Sequence, residues 1–322
     1  MRLFKKLLGS LVGEASEGKA QTGVDGLQRD WRDLIPQEDI DQMLKDAPIP
    51  GVLMVKQDAA KHTVAPGCWF GGKPTLPAEI DWPCYEEYER KLQIPMHFLF
   101  QLNLAELPRT SKTSALPDSG TLFVFLDPVF AALSPYDCFA LGRGISVIHW
   151  PEDVSDVRGR SAPVMPDLSD LEVDAVTSHD WAETSAQDRS PEFPQIAFGL
   201  SELNTFKGLG AHIPFEIKGM LDELWAKEAT DIAQQYGCEA SDLNLPVECH
   251  SILGASQRRE PPIFQSMPGL EREDFVLLFS LGPDPALGLD FFDGYGMGIW
   301  MPRQDLEEMR FDRCVVHPEH FA

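Results

Sequence analysis

Proton transfer near neutral pH is work for an imidazole, and the best single candidate among the eight histidines is His250, which stands directly after Cys249. A general acid or base needs a nucleophile or an orienting partner beside it. None is identifiable next to His250 in the sequence, so a hydrogen-bonded structural histidine stands beside the catalytic reading. Gln101 and Asn103 alternate along an apolar run and share one face of a strand. Amides at buried positions need partners: they bind neighbouring backbone, or they line a polar ligand pocket. Gln265 and Ser280 are candidates for the equivalent position further along. The pair Gly71-Gly72 permits positive φ, and its amides are placed to cradle an anion or to form a turn beneath Trp69 and Trp82. Asp284, Asp290 and Asp293 crowd one turn, where a hard cation is one occupant and plain solvation the other, since the EF-hand order of ligands is missing.

Standard catalytic signatures are absent. The chain has no GxGxxG, P-loop, GxSxG or HExxH element. Its six cysteines form no CxxC pair, and Cys249-His250 has no second ligand pair at zinc spacing, so reduced thiols are expected and neither a metal nor a cofactor is. The balance of 51 acidic against 27 basic residues gives a net charge of −24. Such a surface repels phosphate backbones and attracts cations or basic proteins, although acidity also serves solubility. Nucleic acid is therefore not an expected partner. No run reaches the roughly 18 apolar residues of a membrane span, and the short apolar stretch near the N-terminus falls short of a secretory core, which places the chain in the cytoplasm.

The elements that must position these residues follow from periodicity. Trp31, Leu34, Ile35, Ile40, Met43 and Leu44 suggest a helical preface over 27–45, and Phe4, Leu7, Leu8 and Leu11 a short amphipathic helix before it. Strands are expected at 52–56, 96–104, 120–126, 145–150, 275–281 and 297–301. Residues 219–236 predict the clearest helix, ending at Gly237, and Pro302 opens a last one. Residues 151–195 carry eleven acidic against three basic side chains with several prolines, which reads as a linker or surface loop. Phe98–Leu102 parallels Leu277–Leu281, and the strand after Gly120 parallels the one after Gly296, at an offset of about 180 residues. That common offset suggests a diverged internal duplication.

Gly71-Gly72-Lys73-Pro74-Thr75-Leu76-Pro77, then Trp82-Pro83, then Phe100-Gln101-Leu102-Asn103-Leu104, then Gly120 before an aromatic strand, resemble in order the signature of the YwqG-like family. His250, Leu253-Gly254 and Gln265 are similar to its later His, Leu-Gly and Gln positions. The resemblance covers roughly residues 50 to 315. It implies an α+β domain of largely bacterial distribution with no established activity. Three departures stand out: the long acidic segment, Gly254-Ala255-Ser256 in place of a Gly-Tyr-Pro-like turn, and Phe292-Asp293-Gly294, which shifts a carboxylate by one position.

The expectation is an α+β fold of mostly antiparallel or mixed sheets with flanking helices. An N-terminal helical segment (1–49) precedes one domain (50–322) of two half-repeats, about 50–150 and 196–322, joined by the acidic segment 151–195. Gly71, Gly72, Trp82, Gln101, Asn103, His250, Gln265 and Asp293 are the candidate ligand or partner site. With no coherent catalytic set, the function expected is a non-catalytic cytosolic binding protein, a partner or inhibitor of a basic protein. The alternative is a small-molecule enzyme or sensor using a polar cleft between the halves.

Overall fold

The computed structural model describes residues 48–56, 66–87, 91–127, 144–166, 193–206, 215–243, 245, 249–255, 269–284, 287 and 296–319. The predicted helices before residue 48, together with Gln265, Asp290 and Asp293, lie outside them.

Among the described residues twelve strands run in chain order as β1 (Pro48–Lys56), β2 (Trp69–Phe70), β3 (Cys84–Glu87), β4 (Leu92–Pro95), β5 (His97–Asn103), β6 (Thr121–Leu126), β7 (Ile145–Trp150), β8 (Ile196–Phe206), β9 (His250–Ile252), β10 (Phe275–Leu281), β11 (Gly296–Pro302) and β12 (Val315–Glu319). β3 and β4 form a separate hairpin; the other ten make one sheet in the order β12-β11-β10-β9-β1-β8-β2-β5-β6-β7. The registered neighbours in that sheet are all antiparallel. It curls towards a barrel, so that His149 of the edge strand β7 packs at a tilt against Phe311, just ahead of the opposite edge strand β12, with centroids 6.0 Å apart. Among the described residues there are two α-helices, α1 (Phe215–Tyr236) and the five-residue α2 (Arg303–Glu307).

The architecture is therefore mostly β, which corrects the α+β expectation with its flanking helices. Apolar runs such as Phe98–Leu102 are buried on both sides because the sheet has two cores. The element opened by Pro302 stops after little more than a turn. Inside the curl pack Val52, Phe70, Phe100, Leu102, Val124, Ile252 and Phe279. Against the outer side of β5 and β6, Phe98, Phe123 and Phe125 meet Leu76, Trp82 and Val154. Phe275, Leu277, Trp300 and Val315 form a third cluster.

The strand order reads identically from either edge when β1 is exchanged with β8, β2 with β9, β5 with β10, β6 with β11 and β7 with β12. The leading strand of each half pairs with the other half: β1 with β9 (Val52↔Ile252) and β8 with β2 (Phe70↔Ile196). The equivalence reaches the hydrogen bonds. Register slips at Leu99 in β5 and at Leu278 in β10 leave one extra residue in each strand. Those two carbonyls accept from Gly71 N–H (2.7 Å) and Leu253 N–H (2.9 Å). Both donors are left-handed, at φ +57° and +56°. Register then aligns Cys68 with His250, Trp69 with Ser251 and Gln101 with Ser280.

Candidate functional site

Gln101 and its cross-strand neighbour Trp69 point away from the curl, on the outer side of the first half. The Gln101 side chain is completely buried and its amide is fully used. Oε1 accepts from Thr75 N–H (2.9 Å) and from the Thr75 hydroxyl (3.2 Å), while Nε2 donates to Gly67 O (3.1 Å). A buried amide left short of partners costs about 1–3 kcal/mol, so this network holds the loops on both sides of Gln101 in place. Asn103, two residues on, donates Nδ2–H to Pro66 O (3.0 Å) and accepts from Ala105 N–H (3.1 Å), capping a 3₁₀ turn.

Above these amides opens a cleft of about 620 Å³. Its walls come from Pro66, Gly67, Trp69, Thr75 and Ala105 on one side and from Pro151–Ser155 on the other. The second wall is anchored. Val154 is buried, and Val157 N–H donates back to its carbonyl at 3.0 Å. Arg160 N–H reaches Pro74 O, and its guanidinium donates to Pro77 O and Ile80 O. The acidic segment thus begins as a strap tied across the Gly71–Pro83 loop. Asp153 accepts from Ser155 N–H (2.9 Å) and from its hydroxyl (2.8 Å), which holds its carboxyl below the usual carboxylate range. Glu152 and Asp153 are both exposed.

The histidine lies on the other side of the sheet. His250 is 1% exposed, its ring 4.8 Å from that of Phe70, which faces into the curl beside outward-facing Trp69. Its Nε2 meets Asp284 Oδ2 at 2.9 Å, and Lys56 pairs with the same carboxylate. Burial lowers the His250 pKa against the opposing pull of Asp284. Burial raises that of Asp284, but the bonds from His250 and Lys56 prevail and bring it down to about 2. The result is a neutral imidazole donating Nε2–H to a carboxylate that also holds an ammonium. His250 Nδ1 has no hydrogen-bond partner among the described residues.

The other candidates among the described residues are absorbed locally, and Gln265 and Asp293 lie outside them. Gly71 N–H donates to Leu99 O and Gly72 N–H to Phe193 O (2.8 Å), so neither amide is turned to an anion. The backbone needs glycine there, because a Cβ on Gly71 would lie 2.2 Å from Pro194 O. Trp82 is buried, donates Nε1–H to Met96 O (2.9 Å) and packs edge-on against Phe125. Asp284, grouped by sequence with Asp290 and Asp293, serves Lys56 and His250 instead. Among the described residues no group of three or more His, Cys, Asp or Glu side chains is placed to hold a metal. Lys56, Thr75, Asp153 and Ser155 were not singled out by sequence reasoning. Only the Asp-x-Ser spacing of Asp153 and Ser155 carried a local signal.

A second concavity, of about 470 Å³, gathers Arg303, Arg310 and Arg313 with Asp274, Asp305 and Glu307. Buried Asp305 binds both Arg310 and Arg313, and the charges balance. No helix among the described residues is long and apolar enough to cross a membrane.

A family model matches residues 69–318, under the description Domain of unknown function (DUF1963). No curated protein matches the chain.

Proposed function

The chain belongs to the DUF1963 family of domains of unknown function, and from that premise we propose that it is a non-catalytic cytosolic binding protein whose partner is a basic polypeptide. The YwqG-like resemblance is consistent with that membership. The observation that carries the proposal is the anchored cleft of about 620 Å³ on the first half, open to solvent on a chain of net charge −24. A fixed concavity with an apolar wall and a few placed polar groups is what a binding site requires. The acidity of the chain favours capture of a cationic partner. Cys68, Cys84, Cys238 and Cys314 are free thiols, in keeping with a reducing compartment.

The test is sedimentation or light scattering of the purified full chain mixed with a lysine-rich polypeptide, between about 0.05 and 0.15 M salt, where screening lengths shorten to about 8 Å. A complex of defined stoichiometry that weakens with salt is expected. An acidic polypeptide of equal length should give none. Absence of any complex with the basic polypeptide at the lowest salt refutes the proposal.

One observation favours a second reading, a small-molecule enzyme or sensor: a carboxylate hydrogen-bonded to an imidazole is how a general base is commonly oriented. That reading needs substrate to reach a ring that is 1% exposed. It is excluded if His250→Gln leaves every turnover detected with the wild type unchanged.

A further inference from the structure

Resting on that reading, we infer that the cleft over β5 is the place where the basic partner docks, and that it takes a lysine or arginine side chain of an extended cationic segment. Four observations meet there. The cleft is built: a fully buried glutamine uses its whole amide to fix the Gly67 and Thr75 walls. Its second wall is pinned by buried Val154 and by the Arg160 guanidinium bound to two carbonyls. Its charge is one-sided, because Glu152 and Asp153 are the only ionisable side chains among the lining residues. The contrast with the arginine-lined concavity, where three acids meet three bases, makes that sign local and not merely a consequence of the overall charge.

The fourth observation is the equivalence in strand order and register between the two halves. At the register-equivalent outward positions the second half has Ser251 and Ser280 in place of Trp69 and Gln101. The wall tryptophan and the buried amide beneath it are thus particular to the half that carries the cleft. A long cationic side chain complements such a lining throughout. Its methylene stem lies along Trp69, Pro66 and Pro151, and the indole face attracts the charge. The carboxylates of Glu152 and Asp153 then accept its N–H groups, as charge-assisted hydrogen bonds require. An anionic or neutral ligand would leave both carboxylates uncompensated.

The test compares the full chain with two charge-matched variants, Glu152→Gln/Asp153→Asn at the cleft and Glu223→Gln/Asp231→Asn on exposed positions of α1. The Asp153→Asn change keeps a side-chain oxygen for the Ser155 turn, and thermal melts establish that both variants stay folded. A fluorescent peptide of alternating lysine, arginine and glycine is titrated at about 0.1 M salt. The expected result is affinity at least tenfold lower for the cleft variant and within twofold of wild type for the helix variant. Equal weakening of both, or of neither, overturns the cleft as the docking site while the basic-partner reading stands. Failure of the wild type to bind the peptide overturns both.

Discussion

The first half of the sheet places its polarity outside and the second half places it inside. At equivalent inward positions the first half has Cys68, a buried thiol whose pKa burial pushes up to about 12, and the second has His250 with Asp284, joined there by Lys56 from the end of β1. At equivalent outward positions the first half has Trp69 and Gln101 under an open cleft, and the second has two buried serines. The backbone beneath is shared, down to a bulge carbonyl that accepts from a left-handed donor. A strand order and register that recur in the two halves therefore do not carry the same site twice. What each half does is decided by which face of an alternating strand receives the hydrogen-bonding side chain, and the two faces of one strand diverge independently.

The left-handed donors give the largest expected effect. Gly71→Ala adds a methyl group 2.2 Å from Pro194 O, at a φ that itself disfavours any side chain. Handedness alone costs about 1–2 kcal/mol, and the backbone collision adds more, so urea unfolding should show a loss of at least about 3 kcal/mol or no folded protein. Leu253, at almost the same φ, is native and buried. Leu253→Gly relieves the strain yet forfeits core packing worth about 2–5 kcal/mol, and a smaller net loss is expected. If Gly71→Ala melts like the wild type, the bulge contact is not a structural requirement and the equivalence of the halves is only topological.

The inward pair comes next. Asp284→Ala leaves His250 and the partly covered Lys56 without their shared anion, and breaking a buried charged pair by removing one member costs about 3–5 kcal/mol. Because Lys56 is 32% exposed, so that water replaces part of its interaction, the lower end of that range applies. Cys68→Ala at the equivalent place of His250 removes one small side chain and the weak hydrogen bond its sulfur accepts from Asn103 N–H (3.3 Å), together worth roughly 1–2 kcal/mol. Chemical denaturation of the two variants measures the asymmetry directly, and equal losses would contradict it.

The individual strands of this frame were legible in the sequence because they rest on alternation and apolar runs. Phe98–Leu102 and Leu277–Leu281 read as similar strands from apolar spacing alone, whereas the sequence offered both Gln265 and Ser280 for the place equivalent to Gln101, and register puts Ser280 there. The loop burden of Gly71 and Gly72 followed from their type. The α+β expectation failed because a ten-stranded curl depends on long-range pairing, which no local period encodes. The exchange of β1 and β8 is such a pairing. The site was half legible for the same reason: Gln101 and Asn103 stood out as amides in an apolar run, whereas their partners Thr75, Gly67 and Pro66 lie 26 to 37 residues away. Nor does the sequence show that His250 and Gln101 occupy opposite faces, since that depends on β2, a two-residue strand whose neighbours Trp69 and Phe70 part the two sites.

The smallest effect is the one that pH reveals. A neutral buried His250 has a pKa below its usual 6.5, so the unfolded chain binds a proton that the folded chain refuses. The stability it contributes is complete above about pH 6.5 and is lost as pH falls towards the depressed folded value. The Asp284 carboxyl, brought down to about 2 from 3.8, contributes stability that is present above 3.8 and is lost as pH falls towards about 2. Two successive declines on the acid side are expected in urea midpoints taken from pH 8 to pH 2. His250→Gln should flatten the upper decline. It should also shift the lower one, because Asp284 then has a neutral amide beside it in place of the imidazole. Cys68→Ala should leave both unchanged, since a thiol with a pKa of about 12 does not titrate in this range. An unaltered upper decline in His250→Gln would place that titration outside the inward site of the second half.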